Sequence, residues 1–233
     1  MTDTNSHVNS NDADRAPALF VHGFGSTHEA TWGVPGWHEL METIGYRVVP
    51  FGLPGHGELP APSGTDDDML AELLAVMHES GITTAVGFSA GALMLLRAAV
   101  RSPESFTRLV LVGIGDQMWG DASGFSSLGD KLLSPEPDPS VALIRQLALR
   151  AGNSLKSVAA YAKTAAPPPA LSRLKELDVE TLILLGEEDT VGPADDLMAA
   201  LPHATLVTLS RVDHYRAPGS AEAMSAVLDF LAQ

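Results

Sequence analysis

Apolar residues fall along this chain in short blocks bounded by turn-forming residues, at positions 18–22, 47–51, 83–88, 109–113, 181–185 and 205–209. Between most of them lie stretches with helical spacing of apolar side chains, at about 37–44, 66–80, 90–101, 194–201 and 221–232. The last of these carries Ala223, Val227, Phe230 and Leu231 on one helical face. Strand-sized and helix-sized blocks in alternation predict an α/β fold. The strand blocks lack strict polar alternation, as expected of a mostly parallel sheet of about six strands covered by helices on both faces. Parallel neighbours need crossover connections, which the intervening helices supply.

One segment, residues 117–169, breaks this rhythm. It contains no strand pattern and six of the chain's 16 prolines, with Pro135, Pro137 and Pro139 near its middle and Pro167, Pro168 and Pro169 at its end. Residues 141–151 and 155–164 between the two clusters read as helical. Connections beyond about 12–15 residues are usually functional or disordered, so the segment reads as a small helical lid, with a purely structural insertion as the alternative.

A chain of 233 residues with 45% hydrophobic and 18% charged side chains has the composition of one compact domain. That domain is expected to span residues 17–233, with residues 1–16, polar and rich in Asn, Asp and Ser, as a disordered tail. The tail lacks the basic start and apolar stretch of a signal peptide, and no stretch approaches the roughly 18 apolar residues of a membrane span. A cytoplasmic protein without membrane association is expected. Fourteen basic against 29 acidic side chains leave a net charge of −15. That field repels phosphate backbones, which argues against nucleic acid as a partner and suits either solubility or a cationic ligand. With no cysteine, thiolate metal sites, disulfides and a cysteine nucleophile are excluded.

The strongest chemical signal is Gly87-Phe88-Ser89-Ala90-Gly91, between an apolar block and a helical one. A serine on a sharp strand-to-helix turn has its hydroxyl exposed at the helix N-terminus, and glycines at 87 and 91 suit the close approach of strand and helix there. Serine is a weak nucleophile at neutral pH and needs a base, a role for which histidine is suited. Of eight histidines, His7, His78 and His203 read as surface residues, and His22 and His56 sit in glycine-rich turns. His214 follows the last strand block, where a loop returns it to the sheet edge carrying Ser89. Asp189, just after the fifth block, is the first choice to orient His214, and Asp116, after the fourth, is the competitor. Glu188 and Asp213 are less favoured. Backbone N–H groups of Ala90 and Phe24 are the expected oxyanion donors. Phe88, Met118, Trp119 and Tyr215 are candidates for an apolar substrate pocket, although such side chains also serve as core.

With these motifs in this order the chain resembles the α/β-hydrolase superfamily. The resemblance runs from Ala18 to Gln233. It rests on His22-Gly23-Phe24-Gly25, Leu53-Pro54-Gly55-His56-Gly57, the turn at Ser89, Gly186 to Asp189, and His214. It implies a lidded sheet, no metal or other cofactor, and an acyl-enzyme on Ser89, hence hydrolysis of a small carboxylic ester by Ser89, Asp189 and His214. A lyase, thioesterase or carbon–carbon hydrolase, or a ligand receptor with slow turnover, are the alternatives on the same scaffold. Two features depart from the pattern. The pair of antiparallel strands that usually opens the sheet is missing before Ala18, which implies a minimal six-stranded sheet with an exposed edge, in a monomer or homodimer. Gly52 stands where an Asp often precedes the Leu-Pro-Gly-His-Gly turn.

Overall fold

The computed structural model describes residues 14–120, 124–136 and 138–233. Six strands form one sheet: β1 (Ala16–Val21), β2 (Tyr46–Phe51), β3 (Thr84–Phe88), β4 (Arg108–Val112), β5 (Glu180–Gly186) and β6 (Ala204–Leu209). Their order is β2-β1-β3-β4-β5-β6, and every neighbouring pair is parallel. The fold is the minimal α/β-hydrolase sheet expected from the sequence. One boundary moves: Ala16, assigned to the tail, begins β1 opposite Tyr46, because its N–H is held by the Gly45 carbonyl at 3.0 Å. Of the expected tail, Asp14 and Arg15 are a turn and a bend leading into β1, and residues 1–13 lie outside the described residues.

The helices are α1 (Trp37–Glu42), α2 (Asp66–Glu79), α3 (Ala90–Arg101), α4 (Gly124–Leu133), α5 (Ala142–Arg150), α6 (Leu155–Thr164), α7 (Leu171–Leu174), α8 (Asp195–Ala200) and α9 (Ala221–Leu231). Strand side chains alternate between the two faces. Leu19, Val21, Ala85, Leu109, Leu111 and Ile183 pack with Leu73 of α2, Leu95 of α3 and Leu197 of α8. Ala18, Phe20, Val86, Val110, Val112 and Leu184 pack with Trp37 and Met41 of α1 and Val227 and Leu231 of α9. Both faces are therefore apolar, which is why the strands read as unbroken hydrophobic blocks.

The chain leaves β1 toward β2 on one side and resumes at β3 on the other. The C-terminal ends of β1 and β3 thus flank the point where strand order reverses, the usual position of a site in an open α/β sheet.

Between β4 and β5 lies the helical excursion. Helix α4 was not expected, since its Gly and Ser content reads as a loop, yet Phe125, Leu128 and Leu132 follow helical spacing. Tertiary contact overrides the weak propensity. A Cβ at Gly129 would lie 2.8 Å from the Ala159 carbonyl oxygen, so glycine there permits α4 to lie close on α6. Both ends of the excursion are tied down. The Trp119 indole N–H donates to the Pro169 carbonyl at 2.8 Å. Asp66 accepts from the Ala166 N–H at 3.1 Å and pairs with the buried Arg97 at 3.0 Å. Among the described residues no helix is long and apolar enough to cross a membrane.

Candidate active site

Ser89 stands between β3 and α3 with φ 53° and ψ −112°, a left-handed conformation that a side-chain-bearing residue adopts only when its surroundings impose it. The surroundings are tight. A Cβ at Gly87 would lie 2.7 Å from the Ala92 nitrogen, and one at Gly91 would overlap the Val21 carbonyl oxygen and come within 2.6 Å of that of His22. The Ser89 N–H is held by the Val112 carbonyl at 2.9 Å. The turn is thus wedged between β1 and β4, and the hydroxyl is left to face the sheet edge.

The loops after β5 and β6 are laced to each other. Glu188 N–H donates to the Val212 carbonyl at 3.1 Å, and the Glu187 carboxylate accepts from Arg211 N–H at 2.8 Å. A Cβ at Gly186 would overlap the Val212 carbonyl oxygen, so glycine is required for this approach. The lacing brings Asp189 to His214: Nδ1 lies 2.9 Å from Oδ2 and 3.1 Å from Oδ1. On the other side of the ring Nε2 lies 3.0 Å from Ser89 Oγ. With Nδ1 donating to the carboxylate, Nε2 is left as an acceptor for the hydroxyl proton. Asp189 Oδ1 also accepts from Val191 N–H at 3.0 Å.

The competing carboxylates are occupied elsewhere. Asp116 caps α8, accepting from Asp196 N–H and Leu197 N–H at 3.0 Å each. Asp213 caps the turn after His214 through the N–H groups of Tyr215 and Arg216.

His22 and His56 hold the glycine turns together. His22 donates from Nδ1 to the Gly23 carbonyl at 2.9 Å and accepts at Nε2 from Leu53 N–H at 3.1 Å. His56 accepts at Nε2 from Gly25 N–H at 3.0 Å and donates from Nδ1 to the Pro54 carbonyl at 3.1 Å. Each needs one protonated and one bare nitrogen, so both rings are neutral. Burial, assisted for His22 by the neighbouring His56, pushes their pKa values down to about 3 and about 4 respectively.

Two cavities meet at Ser89. The larger, about 510 Å³, is lined by Phe24, Phe88, Ile144, Leu147, His214 and Tyr215, with Arg150 and Arg216 at its wall. The smaller, about 240 Å³, runs past Ala90, Leu93 and Met118 to Arg97. Of the anticipated pocket residues, Phe88, Met118 and Tyr215 line these spaces. Trp119 lines neither and is a correction: its indole is spent on Pro169, and its ring packs against the core. The excursion supplies walls that the sequence did not point to, Ile144, Leu147 and Arg150 from α5. It also supplies Asn153, a buried amide with no sequence signal, since a lone Asn after a helix reads as a surface turn.

Known proteins share this architecture. Residues 18–227 match the model of the alpha/beta hydrolase family. The chain is 28% identical over 231 residues to the pimeloyl-[acyl-carrier protein] methyl ester esterase of Chromobacterium violaceum, covering 84% of this chain and 91% of that one. It is 28% identical over 239 residues to the dihydrolipoyllysine-residue acetyltransferase component of the acetoin cleaving system of Cupriavidus necator, covering 90% of this chain but only 62% of the relative. Its fold matches that of a thermophilic esterase from Thermogutta terrifontis with a TM-score of 0.71 at 21% identity, over 93% of this chain and 89% of that one. With the family match spanning nearly the whole described sheet, the chain belongs to the alpha/beta hydrolase family.

Proposed function

We propose that the protein hydrolyses a small carboxylic ester through an acyl-enzyme on Ser89. The observation that carries this reading is the hydrogen-bonded series Ser89 Oγ, His214, Asp189, with contacts of 3.0 and 2.9 Å, at the junction of two cavities. Relatives named as methyl ester esterase support the bond type.

In this mechanism Ser89 Oγ attacks the ester carbonyl carbon while His214 Nε2 takes the hydroxyl proton. The negative charge that develops on the carbonyl oxygen is met by the N–H groups of Phe24 and Ala90, preorganised by the turns that hold them. Collapse expels the alcohol, which receives the proton from His214, and leaves the acyl group on Ser89. A water then attacks the acyl carbon, giving its proton to His214. The carboxylic acid departs as that proton returns to Ser89. Asp189 stays ionised, fixing the tautomer of His214 and stabilising the imidazolium. The two cavities suit the two halves of an ester, acyl and alcohol, on either side of the attacked carbon. The excursion, whose α5 walls the larger cavity, serves as the lid over the site.

The test is labelling by a fluorophosphonate probe with peptide mapping, beside turnover of a short-chain ester panel, in wild type and Ser89→Ala. Labelling confined to Ser89, with turnover lost in the variant, is expected. Undiminished turnover in Ser89→Ala would sink the reading.

A further inference from the structure

Asn153 lies in the turn between α5 and α6 and is 5% exposed. It touches neither Ser89 nor His214, yet its amide joins the excursion to both glycine turns. Nδ2 donates to the Gly25 carbonyl at 2.9 Å and the Ser26 carbonyl at 3.2 Å. Oδ1 accepts from Gly57 N–H at 2.6 Å.

The effect travels through two peptide planes. The Gly25 carbonyl shares its plane with Ser26 N–H, which donates to the Gly23 carbonyl at 3.1 Å. The Gly23 carbonyl shares its plane with Phe24 N–H, and across a trans peptide the two point in opposite directions. Holding the Gly23 oxygen therefore aims the Phe24 N–H. Helix α5 lies against the same turn: a Cβ at Gly25, where φ is +73°, would be 3.5 Å from Ile144 and 3.6 Å from Ala148.

We propose that Asn153 is a positioning residue for the oxyanion turn, so that the docked excursion sets the aim of the Phe24 donor as well as walling the cavity. The proposal rests on the acyl-enzyme reading above. An oxyanion donor works only over a narrow range of distance, and a tilted peptide plane weakens it without abolishing substrate binding.

The experiment compares wild type, Asn153→Ala, Asn153→Asp and Ser89→Ala, with 4-nitrophenyl acetate as substrate and phenylboronic acid as a tetrahedral mimic. Expected for Asn153→Ala is a fall in kcat of about 10- to 100-fold with KM changed by about threefold or less. That is smaller than the roughly 10²- to 10³-fold cost of removing a donor outright. Inhibition by phenylboronic acid should weaken in parallel with kcat. The Asp variant keeps the size of the side chain and the bond from Gly57, but its ionised form cannot donate to Gly25 or Ser26. Burial against the Gly25 and Ser26 carbonyl oxygens holds that carboxyl above the ordinary Asp range, so the variant's kcat relative to wild type should rise as pH falls from about 8 to about 5, where the protonated carboxyl regains one donor. His22 and His56, which face the turn, stay neutral over that range, and the variant is read as a ratio to wild type at each pH.

If the Asn153 variants keep wild-type kcat and lose only thermal stability, or raise KM alone, the proposal is overturned while the acyl-enzyme reading stands. Undiminished turnover in Ser89→Ala overturns both.

Discussion

Asp189 presents both carboxylate oxygens to Nδ1 of His214, at 2.9 and 3.1 Å, from a side chain with no exposed surface. An Asn in its place can offer the ring an N–H and trap the opposite tautomer, leaving Nε2 protonated and unable to accept from Ser89. Asp189→Asn is expected to lower kcat by about 10⁴-fold. Steady-state kinetics on any accepted ester, with circular dichroism to verify the fold, decides it.

Asp116 provides the contrasting case. Its carboxylate caps α8 and makes no contact with His214. Asp116→Ala should cost about 1 kcal/mol of stability through the lost cap, with fluorophosphonate labelling of Ser89 retained. A variant that folds but no longer labels would return Asp116 to the site.

The backbone of Ser89, at φ 53°, separates strain from chemistry. Ser89→Gly and Ser89→Ala both remove the hydroxyl, but only glycine is at ease in this conformation. The Gly variant should be the more stable of the two by about 1 kcal/mol, within the roughly 1–3 kcal/mol such strain costs. For a domain of this size that is a Tm difference of about 2–4 °C. Equal melting temperatures would mean that the turn is not strained.

At Gly91 the expectation runs the other way. An added methyl meets two carbonyl oxygens at the end of β1, and neither can move without breaking the sheet edge. Gly91→Ala should destabilise the fold by roughly 3 kcal/mol, read as a lowered urea midpoint.

The buried pair His22 and His56 makes stability depend on pH. Above the ordinary value of 6.5, folded and unfolded chains are both neutral at these rings, and there is no effect. Below it the unfolded chain takes up protons that the folded chain refuses until pH nears about 4 for His56 and about 3 for His22. Stability therefore falls with acidification, by up to about 1.4 kcal/mol per pH unit for each ring. Urea titrations between about pH 7 and 4.5 should show the slope, and His56→Gln should reduce it by one ring's share. An unchanged slope in that variant would mean that His56 is not held neutral.

Much of the site was legible because its residues are bound to local backbone geometry. The turn at Ser89 needs glycines on both sides, so the candidate nucleophile announces itself within five residues, and β3 and α3 frame it. Asp189 and His214 could be ranked because the ends of parallel strands all lie at one edge of the sheet. Helix α4 was missed because local propensity opposes it, and tertiary packing stabilises it, on α6 at Gly129 and on Phe24 through Phe125.

The sequence alone determined the alternation of strand and helix, the parallel sheet that follows from apolar faces on both sides, and the strand ends at which chemistry collects. Tertiary structure alone decided which carboxylate reaches His214, since Asp116 and Asp189 both follow strands and only the lacing of two loops separates them. It also decided that Trp119 ties a connection rather than lining a pocket, and that Asn153 spans two glycine turns. These are contacts between residues far apart in the chain, determined by how the excursion docks, and no local pattern of polarity encodes them.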